Sequence, residues 1–212
     1  MKLYYAPYSS YSQKTVMAFH EKDVAFTPEI VNLRDADSRA AYEKINLLGK
    51  VPTLVLDDGW RIPESSIIIE YLDTHFATGT RLIPEDKDLA RRTRFIDRQS
   101  DLYVNDPAVA ILLDKRKPET EKEPHRITRC HATIDKMFTI IEREMAEKQW
   151  ALGDTFSMAD CAAVAALTVC KLVHPFDQHK NIVSYYQRVS ERPSYKKVFA
   201  EAAPYYAQMA AR

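Results

Sequence analysis

The feature that most constrains this chain is the confinement of its β-like runs to one end. Lys2–Tyr5, Phe26–Val31, Thr53–Leu56 and Trp60–Ile62 carry the aromatic, β-branched and Leu residues that strands favour, and no convincing run follows Pro84. Between them lie helical patterns. Ser12–Lys22 sets Val16 and Phe19 on one face, and Ser38–Leu48 and Ser65–Phe76 read the same way. The order is β-α-β-α-β-β-α. Strands alternating with helices imply parallel pairing through crossovers, and Asp57-Asp58-Gly59 marks a tight hairpin that adds an antiparallel strand. Residues 1–76 are expected to form a small α/β domain.

Residues 77–86, with Gly79 and Pro84, read as a linker, and 87–212 as an all-helical domain. Asp86–Lys115 is one long helical pattern that Pro107 should kink or break. Glu119–Lys148 spaces Ile127, Cys130, Ile134, Met137, Ile141 and Met145 by three and four, one helix face. Residues 157–173 are apolar all round, the pattern of a core helix. Two shorter helices are expected at about 181–191 and 194–203.

Composition excludes several functions. The four glycines, at 49, 59, 79 and 153, have neither P-loop nor dinucleotide-fingerprint spacing. Thirty basic residues balance thirty acidic ones, so no global field attracts nucleic acid or an anionic membrane, and neither is an expected partner. That balance joins an acidic part, residues 1–76 at net −3, to a basic remainder at net +3. The longest nearly apolar stretch, Cys161–Cys170, is half the ~20 residues a membrane helix needs. Three distant cysteines (130, 161, 170) make neither a disulfide framework nor a zinc site, and their helical patterns predict buried, inert thiols. The histidines show no H-E-x-x-H spacing, so no metal is expected. With reduced cysteines and no basic start leading into an apolar run, a cytoplasmic location is expected.

Three short segments carry chemistry. Gly49-Lys50-Val51-Pro52-Thr53 leads into a strand, and a proline is tolerated at a strand's first position. If its peptide bond is cis, Val51 offers its N–H and C=O to an extended ligand as an added strand would; a plain loop-to-strand proline reads the same. Pro63-Glu64-Ser65-Ser66-Ile67 starts a helix. Ser65 suits an N-cap, yet a free helix N-terminus also binds a carboxylate, and Glu64 beside it could receive an ammonium. Tyr4-Tyr5-Ala6-Pro7-Tyr8-Ser9-Ser10-Tyr11-Ser12-Gln13-Lys14 places hydroxyls before a helix, where one can cap and another can stabilise a thiolate.

In this order, within one β-α-β-α-β-β-α module, the three segments resemble the soluble glutathione transferase family, over essentially all 212 residues. The loop around Ser9 is similar to those of serine-type bacterial, zeta and theta-like members. The resemblance implies a thioredoxin-like N-terminal domain, an all-α C-terminal domain and glutathione as cosubstrate. It assigns Ser9 the catalytic hydroxyl, with Ser10 as runner-up and Tyr4 and Tyr5 below them. It gives Glu64 and Ser65 the γ-glutamyl head group, Val51 the cysteinyl backbone with Pro52 cis, and Lys50 the glycine carboxylate. Ala151–Asp160 resembles the family's capping box, with Ser157 capping the helix and Asp160 reaching back, a structural feature. Leu47 stands where many members have proline.

The partners implied are a small-molecule electrophile and a second copy of the chain. The electrophile pocket is expected between the domains, lined by Tyr8, Tyr11, Tyr103, Val104, Asp106 and Ile111, although Tyr103 and Ile111 would serve equally as interhelical core. The homodimer would use Ser65–Phe76 and the segment holding Arg91, Arg92 and Arg94. The expected function is a detoxifying transfer to the glutathione thiol. The alternatives are a glutathione-dependent isomerase or dehalogenase, or a non-catalytic interaction or regulatory module of the same fold.

Overall fold

The computed structural model describes residues 1–210. The chain opens with β1 (Lys2–Tyr5), α1 (Ser10–Glu21), β2 (Thr27–Ile30), α2 (Ala36–Glu43), β3 (Thr53–Val55), β4 (Arg61–Ile62) and α3 (Ser65–His75). Helices α4 (Lys87–Gln99), α5 (Asp106–Asp114), α6 (Pro124–Glu144), α7 (Met158–Val173), α8 (Lys180–Ser190) and α9 (Pro193–Ala210) follow. Two compact units result, one of Met1–Leu82 with the chain from Arg192 onward, the other of Ile83–Glu191. The all-helical stretch expected over 87–212 is therefore shared between units, because α9 packs on α1.

The sheet of the first unit runs β2-β1-β3-β4. β2 pairs parallel to β1, from Lys2↔Thr27 to Tyr5↔Ile30. β3 pairs antiparallel to β1, with Lys2↔Val55 and Tyr4↔Thr53, and β4 antiparallel to β3. The parallel pairing expected across every crossover holds for β1 and β2 and fails for β3. Helix α2 is short, about 12 Å long. The loop after it starts β3 beside the end of β1, so the strand can only run back.

Alternation along β1 buries Leu3 and Tyr5, and the helical spacing of α1 buries Val16 and Phe19. Leu54, Ile62, Ile68, Ile69 and Leu72 complete this core. Helix α1 also buries polar residues, and these find partners. Ser12 Oγ accepts from the Ala6 N–H at 3.3 Å, Gln13 Nε2 donates to the Pro7 carbonyl at 2.8 Å, and Thr15 Oγ1 donates to the Tyr11 carbonyl at 3.1 Å.

In the second unit the long 86–115 pattern changes pitch. A π-helical segment, Ser100–Asn105, separates α4 from α5, and the Asp106 N–H bonds the Asp101 carbonyl. Pro107 has no N–H to continue regular bonding and sits in the first turn of α5. Helix α7 is buried nearly all round, and α6 buries Ile134, Met137 and Phe138. In the first turn of α7, Asp160 accepts from the Ser157 N–H at 2.9 Å and the Ser157 hydroxyl at 3.2 Å. The Ala151 N–H (2.8 Å) and Tyr185 hydroxyl (2.7 Å) also donate to it. Burial pushes the Asp160 carboxyl above its ordinary range against the pull of these donors. Among the described residues no helix is long and apolar enough to cross a membrane.

The C-terminus of α1 ties the linker and α9 together. Thr80 N–H donates to the Glu21 carbonyl at 2.7 Å, and Thr78 Oγ1 to the Lys22 carbonyl at 2.6 Å. Gly79 makes this approach possible. It has φ +63°, and a Cβ there would lie 2.2 Å from the Glu21 carbonyl oxygen. The Glu21 carboxylate takes two bonds from Arg192 (2.8 and 2.6 Å), one from Thr80 Oγ1 (2.9 Å) and one from Ser194. Nearby, Lys22 pairs with Asp73 at 3.0 Å, both side chains buried, and Asp73 accepts from the Leu82 N–H at 2.8 Å.

Burial alone would raise the Glu21 carboxyl, but the bonds from Arg192, Ser194 and Thr80 outweigh it and hold the group below the usual glutamate range. A depressed folded value stabilises the protein above the ordinary glutamate pKa, and that contribution is lost as pH falls through the folded value. Glu21→Ala should cost about 3 kcal/mol near neutral pH, where it leaves Arg192 without its carboxylate. Denaturant titrations from pH 7 downward should show the difference from wild type shrinking in acid. A difference independent of pH would contradict this account.

Candidate functional site

The antiparallel register of β3 gathers the sequence motifs at one end of the sheet. Tyr4 faces Thr53, so the loop leaving β1 toward Ser9 starts beside Val51-Pro52. Leu54 faces Ile62, so β4 finishes at this same end and delivers Glu64 and Ser65 to the start of α3. Lys14, 1% exposed on α1, joins two of the three segments by donating to Ser66 Oγ at 2.9 Å. Tyr8 packs against a small cluster of Ala6, Val31, Tyr42 and Val51.

Each motif presents unengaged backbone or side-chain groups. Ser9 occupies the N-cap position of α1, yet its hydroxyl makes no capping bond and no acidic residue enters the first turn. Its backbone is held, with its N–H on the Ala6 carbonyl at 2.9 Å and its carbonyl taking the Gln13 N–H at 2.8 Å. Ser9 is half-buried, whereas Ser10 is 4% exposed. Tyr5, the tyrosine alternative, commits its hydroxyl to Glu201 on α9, and burial together with that bond pushes the phenol far up. It is unsuited to donate to a thiolate.

The Val51–Pro52 peptide is cis. Among the described residues neither the N–H nor the C=O of Val51 joins a backbone hydrogen bond. The segment is fixed from behind. Tyr42 Oη donates to the Lys50 carbonyl at 2.7 Å and lies 2.7 Å from Thr53 Oγ1. Asn46 Nδ2 donates to the Lys50 carbonyl at 2.8 Å and to Thr53 Oγ1 at 3.2 Å. Burial pushes the Tyr42 hydroxyl up, so it stays protonated. Lys50 itself projects to the surface.

At α3 the N-cap is Glu64 and not Ser65, which takes the first helical position and is buried. The Glu64 side chain makes no capping bond, and the first turn carries no acid. The N–H groups of that turn are left for an anion, with an exposed carboxylate beside them.

The other expected residues are each placed within their own unit. Tyr11 is half-buried on α1. Tyr103 (48% exposed) and Asp106 lie on the surface of the second unit, and Val104 and Ile111 are core side chains there, each 1% exposed. A cavity of about 480 Å³ in that unit is lined by Phe95, Ile96, Met137, Ile141, Met145 and Leu152, and none of the expected site residues borders it. Cys161 and Cys170 are buried, with burial pushing the Cys170 thiol up to about 12, while Cys130 is only half-buried. Sequence reasoning missed Lys14, Tyr42 and Asn46, whose roles appear only once the loop packs on them.

Comparison with known proteins agrees with this geometry. The family model described as "Glutathione S-transferase, N-terminal domain" matches residues 3–80, and "Glutathione S-transferase, C-terminal domain" matches 124–188, together about two thirds of the chain. The chain belongs to the glutathione S-transferase family. Its relatives include glutathione S-transferase hmp2 of Hypomyces subiculosus, 26% identical over 95% of this chain and 99% of that protein. GstA of Escherichia coli O157:H7 is 26% identical over 91% and 94%. A glutathione S-transferase from Methylobacillus flagellatus, solved with GSH bound, superimposes with a TM-score of 0.86 at 28% identity, covering 93% of this chain and 98% of that one.

Tyr42→Phe removes one of two buried donors to the Lys50 carbonyl and should lower stability by about 1 kcal/mol, since Asn46 remains. Chemical denaturation should report the loss with an unchanged m-value. A neutral substitution would show that Asn46 alone fixes the loop.

Proposed function

We propose that this chain is a glutathione transferase that holds glutathione at this end of its sheet and activates the thiol through Ser9. The observation that carries the reading is the Ser9 hydroxyl, placed at the N-cap of α1 and left unused by the helix. Glu64 receives the ammonium of the γ-glutamyl group, and the α3 N-terminus at Ser65 receives its carboxylate. Val51 pairs its backbone with the cysteinyl unit, and Lys50 meets the glycine carboxylate. The serine-type assignment, a homodimeric assembly and a cytoplasmic, detoxifying role belong to the same proposal. Exposed Trp60 and Ile67 beside and on α3, and Phe95 on α4, favour a second copy as cover.

A free thiol of pKa ~8.5 is only a few per cent thiolate at neutral pH. Lowering it by ~2 units requires roughly 2.7 kcal/mol of preferential thiolate stabilisation. One hydrogen bond to a charged group supplies about 1.5–3 kcal/mol, and the N-terminal end of α1 adds a favourable field. Ser9 therefore need only donate its proton in a hydrogen bond. The thiolate then attacks an electrophilic carbon.

Ser9→Ala should lower kcat at least about tenfold and raise the pKa of bound glutathione's thiol. Ser10→Ala should do neither. Turnover of a generic electrophile and the ultraviolet absorbance of bound thiolate against pH provide the measurements. Unchanged values in Ser9→Ala would remove Ser9 from the mechanism. Retention on immobilised glutathione without turnover of any electrophile would favour a binding module.

A further inference from the structure

Tyr8, the residue before Ser9, and Arg34, which lies over its ring, carry hydrogen-bond donors with no acceptor among the described residues. Tyr8 buries its hydroxyl, and that oxygen has no hydrogen-bond partner among the described residues. A buried phenol left so is uncommon and calls for a partner. The Arg34 guanidinium lies over the Tyr8 ring, its carbon 5.2 Å from the ring centroid, and Tyr205 of α9 packs against Tyr8 at 5.8 Å. Among the described residues this guanidinium makes no hydrogen bond and no ion pair.

The backbone that carries Arg34 is fixed while its head group is free. Arg34 N–H donates to Asn32 Oδ1 at 3.2 Å, and Asn32 N–H to Ser38 Oγ at 3.1 Å. Arg39 grips the Leu33 carbonyl through Nε at 3.2 Å and a terminal nitrogen at 2.5 Å. Asp35, the adjacent acid, is occupied in capping α2 through the Ser38 N–H at 2.8 Å. A pinned turn thus presents a planar cation over the face of Tyr8, the residue before Ser9, whose ring packs on the cluster holding Val51 and whose hydroxyl is unsatisfied.

Two donors, one of them a planar fork, complement a carboxylate better than any neutral group. Resting on the function proposed above, we infer that Arg34, together with Tyr8, selects electrophiles that carry a carboxylate. Glutathione's own glycine carboxylate is already assigned to Lys50, which leaves the second substrate as the occupant.

The test compares an α,β-unsaturated ketone bearing a carboxylate with its methyl ester. In both, the thiolate sulfur bonds the β-carbon, the alkene pair moves to the enolate, and a proton from water completes the adduct with nothing expelled. Wild type should prefer the acid. Arg34→Gln should reduce the acid-to-ester ratio of kcat/KM about five- to tenfold, chiefly through KM for the acid, and Tyr8→Phe should reduce it less. An unaltered ratio in Arg34→Gln overturns the inference. So does a rise in the KM for glutathione with acid and ester affected alike, which would give Arg34 to the thiol substrate. Wild-type turnover of the ester tests the transferase reading separately. Calorimetric titration of the acid into wild type and Arg34→Gln requires no turnover, and equal affinities would overturn the assignment whatever the catalytic result.

Discussion

The antiparallel seating of β3 on β1 is the constraint on which the first unit depends. A four-residue strand and a three-residue strand share three residue pairs, Lys2↔Val55, Leu3↔Leu54 and Tyr4↔Thr53. Those pairs fix where three chain segments emerge. Had β3 run parallel, Val51 would leave the sheet at the far end from Ser9, and the hairpin would carry Glu64 to that far end with it. The orientation is enforced from outside the sheet. Tyr42 and Asn46, on and just after α2, converge on the Lys50 carbonyl and Thr53 Oγ1, which determines the end from which the chain enters β3.

Helix starts in the first unit divide into two kinds. Helix α2 is capped by the Asp35 side chain, and beyond the unit α4 is capped by Asp86 and α7 by the Ser157–Asp160 pair. Even α8, whose own N-cap residue makes no side-chain bond, receives the Glu142 carboxylate on its Asn181 and Ile182 N–H groups at 3.0 Å. Helix α1 has a suitable capping residue, Ser9, and α3 carries Glu64 at the N-cap, and neither side chain caps. A capping bond is worth about 1 kcal/mol, so leaving the Ser9 bond unmade withholds stability, and both uncapped starts keep N–H groups that an anion can satisfy.

Much of the candidate site was legible because its motifs are local. Ser9 before α1, Val51-Pro52 before β3 and Glu64-Ser65 at α3 are read from a few neighbouring residues each, as is the Ser157–Asp160 pair. The N-cap of α3 fell one residue from expectation, at Glu64, a shift that only backbone dihedrals resolve. What sequence could not show is tertiary. Parallel pairing for β3 was the default for a crossover, and the short α2 together with the anchoring of the Lys50 carbonyl overrides it. Helix α9 joins the first unit because Glu21 gathers Arg192 and Ser194 across more than 170 residues. Ile111 and Val104 have the apolar character of a pocket wall and of a core equally, and the second unit uses them as core.

Helix α1 explains how the site keeps its shape with a loop at its centre. Its composition is polar, and nearly all of it is buried. Apolar packing alone tolerates rotation and sliding, because it has no direction. Buried polar groups do not, since each must meet its partner or leave it unsatisfied. Gln13 binds the Pro7 carbonyl and Tyr206, Lys14 binds Ser66, and Glu21 and Lys22 hold Arg192 and Asp73. These contacts fix both the rotation and the axial position of α1 against α3 and α9. Ser9 is the residue at the head of that helix, and the backbone that carries it is held by the same packing, with its N–H on the Ala6 carbonyl and its carbonyl taking the Gln13 N–H.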